Sequence, residues 1–214
     1  MRKLLSHLLF VMALLPLAAC QAETEESFTE GVHYEVLPEA VATSDPSRVE
    51  VVEVFWYGCS HCYAFEPKIN PWAQSLNESV HFQRVPAVWH QSMELHAKAY
   101  YTAKALKVLE KLHVAIFEAM NLKKEKLQTE EEIAKLFVDN GVSLERFTKV
   151  FNSKGIEMAV SVAKNKQARY RTQGTPEMII NGKYRVSGRT AGGNDRMLKV
   201  ADYLIDKEQT TSQQ

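Results

Sequence analysis

Three observations on this chain of 214 residues predict an α/β fold interrupted by a helical unit. Strand-like apolar runs lie towards both ends, at 32–37, 49–57, 80–85, 178–180 and 183–186. The stretch from 91 to 151 contains no such run and carries helical spacing instead. Run 49–57 passes through one turn residue, Gly58, into Cys59-Ser60-His61-Cys62, which opens a helix. With 45% hydrophobic residues, the chain can bury a core as one domain or as one domain with an insertion.

Residues 1–19 read as an export signal: Arg2-Lys3, an apolar stretch at 8–17, then small residues. That stretch is too short to span a bilayer comfortably. Export would place the mature chain in an oxidising compartment. Two readings are open at its end. Leu17-Ala18-Ala19-Cys20 resembles the bacterial lipoprotein box, in which Cys20 is acylated and anchors the chain to a membrane; ordinary cleavage after Ala19 or Ala22 is the other. Acylation, or removal after Ala22, disposes of a third, unpaired thiol. Residues 21–27 then form a polar tether or frayed end. Without residues 1–19 the chain keeps 24 basic and 26 acidic side chains, a net charge of minus two, which does not suggest a nucleic-acid binder.

Run 49–57 has apolar residues on both faces, as in a central strand covered on each side. The helix begun at Cys59 meets Pro67 and Pro71, where it is expected to kink or break. After the strand ending at Pro86 come helices at 93–107 and 109–122, rich in alanine, leucine and lysine. Thr129 with Glu132 reads as a capping box, and Asn140-Gly141 ends that helix; Ser143 caps the next. A longer helix at 156–171 leads to Gly174-Thr175-Pro176 and two short strands joined by an Asn181-Gly182 hairpin turn. Gly192-Gly193 introduces a last helix, and the polar residues 209–214 are expected to be disordered.

The chemistry lies in Cys59 and Cys62. A helix N-terminus presents unpaired N–H donors and the positive end of the macrodipole, so a thiol on the first turn is stabilised as thiolate. Cys59 is the expected attacking sulfur. Cys62, three residues on, shares its helical face at about 5 to 6 Å between Cβ atoms, somewhat wider than the roughly 3.5 to 4.5 Å a disulfide prefers. His61 adds a donor or a positive charge near the Cys59 sulfur. A zinc site is the first competing reading, yet no second cysteine pair or His-x-x-x-His supplies the remaining ligands. An inert structural disulfide is the second, and a four-residue loop gives it little entropic motive.

The order strand, Cys-x-x-Cys helix, strand, helical insertion, helix, X-Pro, hairpin, helix resembles the thioredoxin fold with an inserted all-helical domain, as found in the DsbA family of exported thiol:disulfide interchange proteins. The likeness rests on Phe55-Trp56-Tyr57-Gly58-Cys59-Ser60-His61-Cys62-Tyr63, on Gly174-Thr175-Pro176 and on Ile180-Asn181-Gly182-Lys183-Tyr184. It implies a thioredoxin-like domain in two parts, 28–88 and 158–208, with helices inserted at 89–157. It also implies that Cys59 exchanges with clients, Cys62 resolves the mixed disulfide, His61 stabilises the Cys59 thiolate, and a cis peptide precedes Pro176. Thr175 would then pair its backbone with an extended client segment.

The family places an acid near the resolving cysteine, here Glu53, with Arg84 as its basic partner on the next strand. Both would tune thiol ionisation, and Glu53 would relay the Cys62 proton. Where the family more often has proline, this chain has Ser60, which forgoes a preorganised first helical position. His81, His90, His96 and His113 show no ligand spacing and read as surface or satisfied groups; Trp89 and Met93 read as core, with the border of a peptide groove as the alternative. The implied activity is a dithiol oxidase donating its Cys59–Cys62 disulfide to newly exported polypeptides, without metal or organic cofactor, and reoxidised by a membrane quinone-linked partner of the DsbB type. Its rivals are a periplasmic reductase or isomerase, and a non-catalytic, peptide-binding chaperone-like lipoprotein.

Overall fold

The computed structural model describes residues 27–211. The export signal, its cleavage point and Cys20 lie outside the described residues. A five-stranded sheet, ordered β1-β5-β4-β2-β3, is built from β1 (Glu35–Val36), β2 (Val49–Phe55), β3 (Val80–Pro86), β4 (Glu177–Ile180) and β5 (Tyr184–Ser187). β2 pairs parallel with β3 and antiparallel with β4, which pairs antiparallel with β5. All seven residues of β2 are buried, as its two-faced apolar pattern requires.

Around the sheet lie α1 (Ser60–Ser75), α2 (Gln91–Ala105), α3 (Leu109–Asn121), α4 (Glu130–Asp139), α5 (Leu144–Phe151), α6 (Lys154–Tyr170), the short α7 (Gly188–Ala191) and α8 (Asn194–Thr211). One face of β2 puts Val51 against α1 and α8, and Phe55 into the apolar cluster formed by α2 to α5. The other face puts Val52 and Val54 against Met93 and Tyr170. Tyr57 and Cys62 belong to the same cluster as the helices α2 to α5, so the cysteine turn and the inserted helices share one core.

Several local signals act as expected. Ser143 Oγ accepts from the Arg146 amide, and Asn181 and Gly182 both take positive φ in the hairpin turn. A Cβ at Gly182 would sit 1.9 Å from the Val41 carbonyl oxygen, so this turn admits only glycine. Thr129 makes its half of the capping box, but the Glu132 carboxylate turns to the Gln128 amide instead of closing it.

Three expectations are corrected. α1 runs unbroken past Pro67 and Pro71: Cys62, Phe65, Glu66 and Ile69 anchor its buried face on both sides of the prolines, and tertiary burial outweighs the backbone bonds they forgo. The strand expected over 32–37 shrinks to two residues, because Gly31, at φ 76°, closes a turn that consumes Val32 and His33. Residues 209–211 are helical, the last turn of α8. Gln209 Nε2 donates to Ser79 Oγ, and the hydroxyls of Thr210 and Thr211 donate to the carbonyls four residues back.

Candidate active site

Cys59 is the N-cap of α1, with extended backbone (φ −91°, ψ 112°), and its sulfur accepts from the Cys62 amide at 3.4 Å. Asn121 Nδ2 donates to the Tyr57 carbonyl at 2.8 Å, so α3 holds the turn that carries Cys59. Both cysteines are free thiols, and they differ sharply in environment: Cys59 is partly exposed and Cys62 is fully buried. A hydrogen bond with the Cys62 thiol holds Cys59 far below the ordinary thiol range, at about 5, against the opposing effect of burial. The Thr175 side chain and the amides of Cys62 and His61 add to that stabilisation. Burial, then the neighbouring Cys59 sulfur, push Cys62 well above the ordinary range.

The Thr175–Pro176 peptide is cis and lies beside the cysteines. The Cys59 thiol donates to the Thr175 carbonyl at 3.2 Å, across 116 residues of sequence. His61 is exposed, and it lines a cleft of about 580 Å³ with Thr175 and Pro176. Its contribution to the Cys59 sulfur comes from its main-chain amide. Ser60 is exposed at the first helical position.

Glu53 is wholly buried and directly opposite Arg84 in the β2–β3 register. Burial lifts its carboxyl to about 7, partly offset by the Arg84 charge, and its own charge in turn acts on Cys62. Arg84 reaches further than the sequence indicates, to Asn70 Oδ1 at 2.7 Å and to Glu66 Oε1 at 3.5 Å.

Glu66 and His113 join this group without having been singled out for it. His113 Nε2 stands 3.4 Å from Glu66 Oε2, and its Nδ1 is 2.8 Å from the Tyr57 hydroxyl. Burial lowers the His113 pKa; burial also raises that of Glu66, but hydrogen bonding from His113 and Asn70 together with the charges of His113 and Arg84 bring it below its ordinary value. Glu66, four residues after Cys62 on the same helical face, was legible by spacing; His113, on α3, was not. His96 is buried and accepts from Trp56 Nε1 at 2.9 Å, whereas Met93 is core and Trp89 is 40% exposed, a correction to its reading as packed. Among the described residues no group of three or more His, Cys, Asp or Glu side chains is placed to hold a metal ion.

Residues 67–205 match the family model of the DSBA-like thioredoxin domain, which begins just after the cysteine pair. The thiol:disulfide interchange protein DsbA of Pseudomonas aeruginosa is 41% identical over 212 residues, 99% of each chain, and so includes that pair. The protein of the same name from Azotobacter vinelandii is 42% identical over 180 residues, 84% of each. The crystal structure of Pseudomonas aeruginosa DsbA superposes with a TM-score of 0.85 over 87% of this chain and 97% of that one, at 41% identity. Oxidoreductase DsbA from Xylella fastidiosa gives 0.77 over 83% and 96%, at 31% identity. With its cysteine pair at the head of α1 and the cis peptide beside it, the chain belongs to the DsbA family of thioredoxin-fold thiol:disulfide oxidoreductases.

Proposed function

We propose that this protein is a periplasmic dithiol oxidase that hands its Cys59–Cys62 disulfide to newly exported polypeptides. The observation that carries this direction of transfer is the opposition between the two thiols, Cys59 drawn down to about 5 and Cys62 pushed up. A stabilised thiolate favours the dithiol form, so the disulfide of such a pair tends to be given away. In the forward step a client thiolate attacks the Cys59 sulfur, the Cys59–Cys62 bond breaks, and Cys62 departs and takes up a proton. A second client thiolate then attacks the client sulfur of the mixed disulfide, and Cys59 leaves as the stable thiolate. The client has lost two electrons and the pair has gained them.

Within this scheme Glu53, at about 7, is suited to exchange the Cys62 proton at neutral pH, with Arg84 limiting how far burial raises it. Thr175 and Pro176 flank the cleft where an extended client segment would lie, and His61 supplies an amide to the Cys59 sulfur. The redox and client-binding groups belong to 28–88 and 158–208, and the helices of 89–157 grip the Tyr57 turn. Reoxidation falls to a membrane quinone-linked protein of the DsbB type. Acylation at Cys20 would tether the catalyst to the membrane facing that partner.

Trapping thiols with acid and an alkylating reagent in intact cells tests the direction. An oxidase is recovered mainly with Cys59 and Cys62 joined; recovery mainly as the dithiol would establish the reductase or isomerase instead.

A further inference from the structure

The loop between α6 and β4 carries Thr175 and Pro176, and its neighbour Glu177 is a carboxylate only 4% exposed. Glu177 opens β4, opposite Val54 of β2 and Ser187 of β5, so its backbone is fixed on both sides. Its side chain turns back over the loop. Both carboxylate oxygens lie within reach of the Gln173 amide, at 3.2 and 3.3 Å, and the Gly174 amide also acts on the group. A Cβ at Gly174 would stand 3.9 Å from Glu177 Oε1, so carboxylate and loop backbone are in near contact. The five residues 173–177 thus form a loop closed by its last side chain onto its first amide. Thr175, whose carbonyl faces the Cys59 sulfur, sits in the middle.

From this geometry we infer that Glu177 is a positioning residue for client binding: its ionised carboxylate ties down the Gln173 amide, next to Gly174, and so presents the Thr175 backbone beside Cys59 to an entering client strand. The inference rests on the oxidase reading only in that the client enters along Thr175. An ionised carboxylate offers both oxygens to the Gln173 N–H, whereas a protonated carboxyl keeps only its carbonyl oxygen as a good acceptor and carries a donor that the amide cannot use.

The charged and titratable groups around Glu177 line the same cleft: Arg185 on β5, Glu35 on β1, Arg189 on α7 and His61 on α1. Arg185 favours the anion but is itself engaged, with Glu35 Oε2 at 2.5 Å and with the Arg171 carbonyl. Burial therefore prevails and lifts Glu177 to about 7. The clamp is set above neutrality and slackens below it.

The test is oxidation of a fluorescent two-cysteine peptide, with glutathione disulfide as terminal oxidant, by the wild type, Glu177→Gln and Glu177→Ala between pH 5.5 and 8.5. For the wild type, KM should rise several-fold as the pH falls through 7. Glu177→Gln should have a raised KM without that pH step, and Glu177→Ala a KM raised at every pH, with the change falling on KM rather than kcat. A Glu177→Gln profile that keeps the wild-type step in KM overturns the inference, as does a loss confined to kcat. The wild type alone supplies a second measurement: the Gln173 and Gly174 amide shifts should titrate together near pH 7, and invariant shifts would overturn the clamp. If the wild type does not oxidise the peptide, the oxidase reading fails while the amide titration still decides the clamp.

Discussion

Arg84 Nε lies 2.7 Å from Glu53 Oε2, joining two side chains directly opposite in the parallel β2–β3 register. The acid is fully buried and the base nearly so. Because the folded Glu53 titrates at about 7, above its ordinary 4.5, the folded state holds a proton that the unfolded chain releases. The stability this confers is present below about 4.5 and is lost as pH rises through 7.

Arg84→Met should deepen that loss. Without the guanidinium Glu53 titrates higher still, and ionising it leaves an unpaired buried charge, so the substitution should cost about 3 to 5 kcal/mol at pH 8. At pH 5.5, with Glu53 protonated, the cost should be clearly smaller. Urea denaturation of the reduced protein at both pH values checks this; equal costs would mean the pair is not the source.

The two sulfurs should divide their labour. Cys62→Ala should accumulate mixed disulfides with client proteins through the partly exposed, low-pKa Cys59. Cys59→Ala should trap roughly tenfold fewer, since a buried thiol of raised pKa is a poor nucleophile. Non-reducing gels of the two variants from exported fractions distinguish the cases, and equal trapping would contradict the assignment.

Ser60 stands at the first helical position, and the hydrogen bonds that stabilise the Cys59 sulfur come from Cys62, Thr175 and the His61 amide, with none from the Ser60 hydroxyl. Proline there would preset the helical φ and hold those amides in place. Ser60→Pro should lower the Cys59 pKa and raise the reduction potential by about 10 to 30 mV, on the order of 1 kcal/mol for a two-electron couple. Thiolate absorbance against pH and a glutathione equilibrium measure both; an unchanged or lower potential would show that serine is no handicap.

Mass spectrometry of the mature N-terminus should find a lipid on Cys20. A free amine on Cys20 or on Glu23 would establish ordinary cleavage after Ala19 or Ala22 and remove the anchor.

The sequence by itself determined what depends on near neighbours along the chain. Cys59 and Cys62 fall on one helical face because three residues nearly complete a turn, Ser143 caps the helix it precedes through the amide three residues ahead, and Asn181-Gly182 supplies two positive φ angles side by side. The two-faced run at 49–57 announced a covered strand, and with it the burial of Glu53. Only the tertiary structure decided what those groups meet. Thr175 reaches Cys59 across 116 residues, and the α3 helix brings His113 to Glu66 and Tyr57, contacts for which no spacing rule exists. The same holds where local rules were overruled: α1 passes through Pro67 and Pro71, and α8 keeps Gln209, because contacts with distant elements supply more than the local propensity withdraws. The tuning of the thiols and carboxylates belongs to this second kind, since a pKa shift is set by burial and nearby charge, and both are properties of the packed chain.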